Sequence, residues 1–204
     1  MVSGVARRPE DLSAVVLAAG ASRRLGRPKQ LLSLEGVPLA QHALERAAAT
    51  AAGEVIVVLG YEAERVADAL TLPPQRGRIV VNPDFASGQA GSLRAGLRAA
   101  RPEALAALVL LGDQPRLRPE VIEAVIAAWL AGAGPAVRAE YSGRPGHPVI
   151  LDRALWPELE RLAGDRGARD LLASRPADVM GVEVGGDPPA DVDTWEDYVR
   201  LGGA

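Results

Sequence analysis

The sequence predicts an α/β protein with three layers (α/β/α), in which helices cover both faces of a mostly parallel sheet. Short apolar runs alternate with longer Ala-, Leu- and Arg-rich segments through the first two thirds of the chain. Hydrophobic residues make up 48% of the chain and aromatic residues only 3%, so the core should be aliphatic. A chain of 204 residues is long enough for one sizeable domain. We therefore expect a single domain over 1–204.

Four strands are predicted before residue 112. The runs at 14–18 (AVVLA), 55–59 (VIVVL) and 107–111 are apolar throughout rather than alternating, which is typical of strands buried on both faces of a parallel sheet. The remaining strand, 78–81, stops at an Asn-Pro pair. Rossmann-like sheets of this kind bind their ligands beyond the carboxyl ends of the strands. Functional residues are therefore expected directly after each of these four runs.

Helices are predicted between the strands from their boundary residues. Proline is favoured in the first turn of a helix and glycine just past its end. Pro38 and Gly53 thus bound a helix over 37–52, and Pro119 and Gly132 bound one over 119–131. The other predicted elements are helices at 62–70, 89–100, 154–163, 168–174 and the end of 191–201, and strands at 136–141, 148–151 and 179–184.

Composition excludes several classes of protein. The formal net charge of −3 gives no basic surface for coating nucleic acid. The absence of cysteine excludes disulfides, thiolate nucleophiles and cysteine-based zinc sites. No apolar run approaches the roughly 18 to 20 residues of a membrane span, and the N-terminus lacks the plan of a signal peptide. We therefore expect a cytoplasmic protein with neither nucleic-acid nor membrane partners.

The loop after the first predicted strand combines glycines with clustered basic side chains, reading LAAGASRRLGRPKQ over 17–30. Glycine lets backbone approach a ligand closely, and consecutive N–H groups in such a turn can bind oxyanions. Arginine and lysine add charge-assisted bonds to phosphate. The loop has neither the Gly-Lys-Ser/Thr ending of a P-loop nor the spacing of a dinucleotide fingerprint. Spacing alone leaves open a phosphate-binding loop and a turn with solvated arginines.

Residues 17–39 resemble the signature of the MobA-like nucleotidyltransferase superfamily, L-A-A-G-x-S-x-R-x-G-x-P-K, at every fixed position. The resemblance implies a nucleotide-diphospho-sugar transferase-like fold. It also implies that Arg24 and Lys29 bind the triphosphate and the transition state, where fixed cations stabilise the charge that builds on the phosphates. The residues implied to bind the nucleotide here are Leu17, Ala18, Ala19, Gly20, Ala21 and Ser22.

The resemblance also implies a base. Guanylyltransferases of this superfamily read L-A-G-G, whereas residues 17–20 read L-A-A-G, as in the cytidylyltransferases. CTP is therefore the nucleoside triphosphate that the resemblance favours over GTP. A methyl group at Ala19 offers a physical reason, because it could crowd out a purine.

Two carboxylates are candidates for holding Mg2+. Asp113 follows a predicted strand in LVLLGDQP, where it could bind Mg2+ or simply cap the turn before Pro115. The similar family has a metal-binding aspartate at this position. Its D-I-D-T-P-E-D segment resembles residues 191–197, DVDTWED. The resemblance thus implies Asp113 and Asp193 as metal ligands, with Asp191 as an additional candidate.

The same C-terminal segment has a structural interpretation. Thr194 and Asp197 have nearly the spacing of a capping box at the start of the last helix. Trp195 stands where the family usually has proline. Since either residue can begin a helix, we expect no chemical consequence.

The stretch after the third strand, NPDFASGQAGSLRAGL, is similar to the family's region that contacts base and ribose. The resemblance implies nucleotide contacts by Asn82, Gly88 and Ser92. The alternative for Ser92 is ordinary capping of the helix that begins nearby, a role that serine favours.

Two later segments, GRPGHPV (143–149) and GDRGAR (164–169), resemble the molybdenum cofactor cytidylyltransferase branch. The implied reaction transfers CMP from CTP to molybdopterin cofactor, and a client molybdoenzyme would receive the product. Two alternatives stay open: another phosphorylated acceptor, such as a sugar or polyol phosphate, and a nucleotide-binding or cofactor-chaperone protein without turnover. The residues implied to face the acceptor are Gln114, Pro115, His147, Asp165 and Arg169.

Overall fold

The computed structural model describes residues 6–162 and 168–203. Its strands are β1 (Leu12–Ala18), β2 (Ser33–Leu34), β3 (Val37–Pro38), β4 (Glu54–Leu59), β5 (Gly77–Val81), β6 (Ala106–Leu111), β7 (Ala136–Tyr141), β8 (Arg144–Asp152) and β9 (Val179–Glu183). Its helices are α1 (Leu39–Ala49), α2 (Ala63–Asp68), α3 (Gln89–Ala99), α4 (Pro119–Leu130), α5 (Trp156–Leu159), α6 (Arg169–Ser174) and α7 (Trp195–Arg200).

Seven strands form one mostly parallel sheet in the order β5-β4-β1-β6-β8-β7-β9. β1 is parallel to both of its neighbours, β4 and β6. Only β8 runs against its neighbours, pairing antiparallel with β6 and β7. The carboxyl ends of β1, β4, β5 and β6 therefore lie at one edge of the sheet, where the sequence places its candidate functional residues.

Helices cover both faces of the sheet, as the apolar strands predict. All seven residues of β1 are buried, and successive side chains of a strand point to opposite faces. Val16 packs in the core cluster that contains Trp129 of α4. Val15 packs in the opposite cluster, with Leu97 of α3. The predicted fold class, a three-layer α/β/α arrangement, is confirmed.

A third, smaller apolar cluster fastens the C-terminal segment near the end of β1. Leu25 and Leu34 pack there with Val192 and Tyr198. Tyr198 also donates its hydroxyl to the backbone oxygen of Ser33. This cluster brings residues from the two ends of the chain to the same edge of the sheet.

The predicted helix over 37–52 was wrong at its start. Val37 and Pro38 instead pair antiparallel with Ser33 and Leu34 in a small hairpin, so the helix begins at Leu39. The two-residue turn of this hairpin has positive φ at both positions, which suits the Glu-Gly sequence between the strands.

The predicted helix over 154–163 was also too long. A 3-10 turn over Arg153–Leu155 precedes a four-residue helix, Trp156–Leu159. Residue 163 lies outside the described residues. By contrast, the predicted capping box at the last helix is confirmed, since Thr194 Oγ1 accepts from Asp197 N at 3.2 Å and the Asp197 carboxylate accepts from Thr194 N at 2.9 Å.

Over the described ranges, no helix is both long and apolar enough to span a bilayer.

We expect Gly96→Ala to destabilise the protein more than the same change at Gly91, although both glycines lie in α3. A Cβ at Gly96 would come within 2.5 Å of Val15 Cγ1 in the sheet, whereas one at Gly91 would approach other side-chain atoms no closer than 3.3 Å. Overpacking of this kind costs about 1–3 kcal/mol, against a helix-propensity gain of up to about 1 kcal/mol. Urea unfolding of both variants measures the difference, and equal stabilities would contradict the close packing of α3 on β1.

Candidate active site

A cavity of about 340 Å³, the first cavity, lies at the carboxyl end of β1. Most of the residues implied to bind a nucleotide line it. They are joined by several residues that the sequence did not single out, including Gln30, Phe85 and Gln89. The sequence-predicted residues in its wall are Leu17, Ala18, Ala19, Gly20, Ala21, Ser22, Lys29, Gly88, Ser92 and Asp113.

The backbone of the first loop, residues 19–28, is held from behind. Gln30, 2% exposed, donates from Nε2 to the carbonyl oxygens of Ala18 (2.8 Å) and Gly20 (2.9 Å). The N–H of Lys29 donates to Ser22 Oγ at 3.0 Å. Meanwhile, no described residue accepts a hydrogen bond from the N–H groups of residues 20–22. Consecutive unpaired N–H groups in a cavity wall can bind oxyanions.

Lys29 forms the electrostatic centre of the site. Its Nζ donates to Asp113 Oδ2 at 2.6 Å and to Asp193 Oδ1 at 2.8 Å. Burial would lower the pKa of Lys29, but the charges and hydrogen bonds of the two carboxylates outweigh that effect and raise the pKa above its usual value. The lysine is therefore fully charged at neutral pH. Arg24 stands at the exposed side of this cluster, with its Nη1 3.7 Å from Asp193 Oδ2.

Backbone contacts bring the two carboxylates together. Asp113 follows β6, which neighbours β1, and its carbonyl oxygen accepts a hydrogen bond from Val192 N at 3.1 Å. Val192 is fully buried in the third apolar cluster, so Asp193 is fixed beside it. The second carboxylate oxygen of Asp113, Oδ1, is buried and has no hydrogen-bond partner among the described residues.

The aspartates fit a cation that takes few protein ligands. Within residues 6–162 and 168–203, no group of three or more His, Asp or Glu side chains is arranged to hold a metal. Mg2+ commonly takes one or two carboxylates and completes its shell with water and phosphate oxygens. The unpaired Oδ1 of Asp113, with Asp193 across the Lys29 ammonium, matches that requirement.

Asp191, the additional metal candidate, is held differently. Gln114 Nε2 donates to Asp191 Oδ1 at 2.8 Å. Burial, together with the nearby charge of Asp113, raises the pKa of Asp191. Gln114 and Pro115 are buried and line neither of the two cavities described here, so the structure brings neither to the predicted acceptor side.

At the other end of the first cavity, Asn82 supports Ser92. Asn82 is 5% exposed and does not line the cavity, but its Nδ2 donates to Ser92 Oγ at 3.1 Å. Ser92 lies inside α3, and the residue that precedes the helix is Gly88, whose φ of +112° suits glycine. Capping is therefore not the role of Ser92. Phe85 supplies an aromatic ring to the wall of the same cavity.

A second cavity of about 680 Å³ adjoins the first, because Leu17 and Gln89 line both. His147 and Arg169, implied to face the acceptor, lie in its wall with Arg138, which the sequence did not indicate. Its remaining wall is largely aliphatic, with residues such as Leu93, Val149, Leu151 and Leu172. Asp165, the remaining predicted acceptor residue, lies outside the described residues.

His147 is neutral in the second cavity. Burial lowers its pKa from 6.5 to about 4, with the charge of Asp113 opposing the shift and that of Arg169 adding to it. Tyr141 also donates its hydroxyl to the His147 carbonyl oxygen at 2.7 Å. His147 can therefore donate or accept a hydrogen bond at neutral pH without adding a charge.

Comparison with protein families and solved structures gives consistent results. The family described as the MobA-like NTP transferase domain matches residues 14–179. A nicotine blue oxidoreductase of Paenarthrobacter nicotinovorans is 36% identical, over 93% of this chain and 96% of its own length. The crystal structure of Rv0371c from Mycobacterium tuberculosis has a TM-score of 0.83 at 35% identity, covering 93% of this chain and 96% of that one.

Two further structural matches bear on chemistry. A structure of Rv0371c in complex with manganese matches with a TM-score of 0.78. A nucleotidyl transferase from Methanothermobacter thermautotrophicus, Mth528, has a TM-score of 0.73 at 25% identity, over 93% of this chain and 95% of that one.

We expect the imidazole of His147 to titrate with a pKa of about 4 in the folded protein. Because this value lies below that of the unfolded chain, the unfolded chain binds the proton more tightly. Acidification from about pH 6.5 to about pH 4 therefore destabilises the fold through this residue. Proton NMR of the two histidine rings against pH measures the value, with His147→Gln identifying the signal. A His147 signal that titrates above pH 6 would contradict the burial described here.

Proposed function

Because this chain belongs to the family of MobA-like NTP transferase domains, we propose that it transfers CMP from CTP to molybdopterin cofactor. The chain is a nucleotidyltransferase. We propose in addition that its nucleotide is CTP, its acceptor molybdopterin cofactor and its metal ion Mg2+, and that residues 1–204 form one catalytic domain. The observation that carries this proposal is the composition of the first cavity. Its wall combines the unpaired N–H groups of residues 20–22 with Lys29, which bridges Asp113 and Asp193, and it adjoins the second cavity.

In the proposed reaction, the first cavity holds the triphosphate. The unpaired N–H groups of residues 20–22 and the Lys29 ammonium supply donors for phosphate oxygens. Arg24, 72% exposed, adds a cation at the solvent side of the same cluster. Fixed donors of this kind stabilise the charge that grows on the α-phosphate and on the leaving pyrophosphate.

Asp113 and Asp193 are the residues that would hold Mg2+. The unpaired, buried Oδ1 of Asp113 supports this assignment, because a buried carboxylate oxygen without a partner is costly unless a cation satisfies it. When bound, the ion would neutralise phosphate charge and orient the triphosphate. Lys29 already compensates both carboxylates, so the pair keeps its position without the ion.

The second cavity is the proposed acceptor site. A terminal phosphate oxygen of the acceptor bonds to the α-phosphorus of CTP, the bond to the β-phosphate oxygen breaks, and pyrophosphate leaves. A phosphate nucleophile is already ionised at neutral pH, so no general base is needed. His147, whose pKa of about 4 makes it a weak base, is therefore not required to accept a proton. The Arg169 guanidinium offers charge-assisted bonds to the acceptor, and the aliphatic wall suits its organic body.

A second candidate function comes from one relative's name. The Paenarthrobacter protein is called an oxidoreductase, which raises the reduction of a small molecule as an alternative. This chain has no cysteine, so electrons would have to come from an external carrier such as a nicotinamide dinucleotide. The cluster of Lys29, Asp113 and Asp193 has no evident use in hydride transfer, and we therefore favour nucleotidyl transfer.

We expect wild-type protein to release pyrophosphate from CTP when Mg2+ and molybdenum cofactor are present, and to do so much more slowly with GTP or ATP. Asp113→Asn should lower the rate by at least about 100-fold, because it weakens the site that would hold the Mg2+ ion against the charge growing on the phosphates. Asp68→Asn, at an exposed aspartate on α2, is the matched control and should leave the rate unchanged.

Each other outcome identifies a different error. Release with sugar or polyol phosphates but not with molybdenum cofactor would replace the acceptor. Nucleotide binding without release would favour a binder. Oxidation of NADH or NADPH without pyrophosphate release would establish the second candidate. Full activity of Asp113→Asn would refute the metal assignment.

We further expect Ala19→Gly to weaken discrimination against GTP. Removing one methyl group from a pocket changes selectivity by about 10- to 200-fold at most, so the ratio of kcat/KM for CTP to that for GTP should fall by about 10-fold. Ala21→Gly, in the same loop, is the matched control for added backbone flexibility. An equal change in both variants would assign the effect to flexibility rather than to the Ala19 methyl.

A further inference from the structure

The side-chain amide of Gln30, in the wall of the first cavity, is held in one orientation by its hydrogen bonds. Both of its Nε2 bonds go to carbonyl oxygens of one short segment, those of Ala18 and Gly20. An amide nitrogen has only two hydrogens to donate, so both are used. Exchanging the amide oxygen and nitrogen would set an oxygen against two carbonyl oxygens, and the orientation of the amide is therefore fixed.

The remaining atom of the amide supports the same conclusion. Gln30 Oε1 is buried and has no hydrogen-bond partner among the described residues. A buried polar atom without a partner costs roughly 1–3 kcal/mol. The side chain keeps this position despite that cost. The free energy gained from its two donor bonds must therefore exceed the cost of leaving Oε1 without a hydrogen bond.

The effect on the loop is to hold its carbonyl oxygens in place. Four successive carbonyl groups, from Leu17 to Gly20, accept hydrogen bonds. Leu17 O accepts from Gly112 N at 2.9 Å and Ala19 O from Tyr61 N at 3.3 Å, while Gln30 supplies the other two. Without these bonds, the carbonyl dipoles could turn toward the cavity and repel the phosphate oxygens of a ligand.

We propose that Gln30 is the positioning residue of the phosphate-binding loop. The Gly20 carbonyl shares a planar peptide group with the Ala21 N–H, so the Gln30 bond to Gly20 O directs that N–H away from the side chain. Together with the bond to Ala18 O, it holds the backbone from which the N–H groups of residues 20–22 are available to an anionic ligand. Gln30 acts through the backbone and is not itself a catalytic residue. The inference rests on the proposed function only in taking a nucleoside triphosphate as that ligand.

The test compares two buried glutamines. Gln30→Met preserves the length and most of the volume of the side chain but removes both donors. Gln41→Met is the matched control, since Gln41 is 8% exposed, bonds to the Thr71 backbone and lines neither of the two cavities. Calorimetry would measure the Kd of whichever of CTP, GTP and ATP the wild type binds most tightly, with Mg2+ present, and urea unfolding would measure stability.

We expect Gln30→Met to raise that Kd by about 10- to 100-fold, the scale on which misplaced binding groups act, while Gln41→Met leaves it within about 2-fold at a comparable loss of stability. If Gln30→Met does not fold, Gln30→Asn provides a milder change. Its shorter amide can reach only one carbonyl, and we expect an intermediate Kd.

Two results would overturn the inference: an unchanged Kd in the folded Gln30 variant, or equal weakening by Gln41→Met, which would indicate a general effect of destabilisation. Failure of the wild type to bind any nucleoside triphosphate would instead refute the proposed function. In that case, hydrogen exchange still tests the positioning role at amides that bond to the loop. The N–H groups of Leu25 and Lys29, which donate to Ser22 O and Ser22 Oγ, should exchange faster in Gln30→Met than in Gln41→Met.

Discussion

The ammonium group of Lys29 is the interaction on which the arrangement of the site depends. It joins three segments far apart in the sequence: the turn directly after the first loop, the end of β6 through Asp113 and the C-terminal segment through Asp193. Two carboxylates brought this close would repel each other strongly without a cation between them. The lysine therefore explains why a loop rich in basic residues and a segment rich in acidic ones lie against each other.

Much of the fold could be predicted because the inner strands are buried on both faces and therefore have continuous apolar sequences. β1, β4 and β6 are of this kind, and their predicted bounds differ from the observed ones by at most two residues at either end. The short hairpin of β2 and β3 could not be predicted, since two-residue strands have no periodicity and Pro38 also suits a helix start. The length of β8 was underestimated, at 148–151 against the observed Arg144–Asp152, because its first half contains proline and glycine and is less buried.

The candidate site, like the fold, could be predicted from the sequence only in part. Lys29, Asp113 and Asp193 meet in the structure. The sequence indicated them through the first-loop motif, one carboxylate after a strand and one in the segment before the last helix. Gln30 lies in the segment 17–30, but nothing in the sequence indicates its role. Only in the folded loop does its amide lie beside the carbonyl groups of Ala18 and Gly20. Arg138 and Gln89 were missed for a related reason. Their positions in a cavity wall depend on how β7 and α3 pack against other elements, and local sequence holds no information about that packing.

The wall shared by the two cavities has a consequence for turnover. In the proposed reaction, the two substrates enter separately, but the product is one covalent molecule that occupies both cavities across Leu17 and Gln89. Its two halves are tethered, so loss of contact in one cavity is followed by rapid rebinding from the other. In that scheme, the product is expected to leave more slowly than the acceptor, which would contact the second cavity alone. Product release would then limit turnover, and a recipient that takes up the product would set the rate of the cycle.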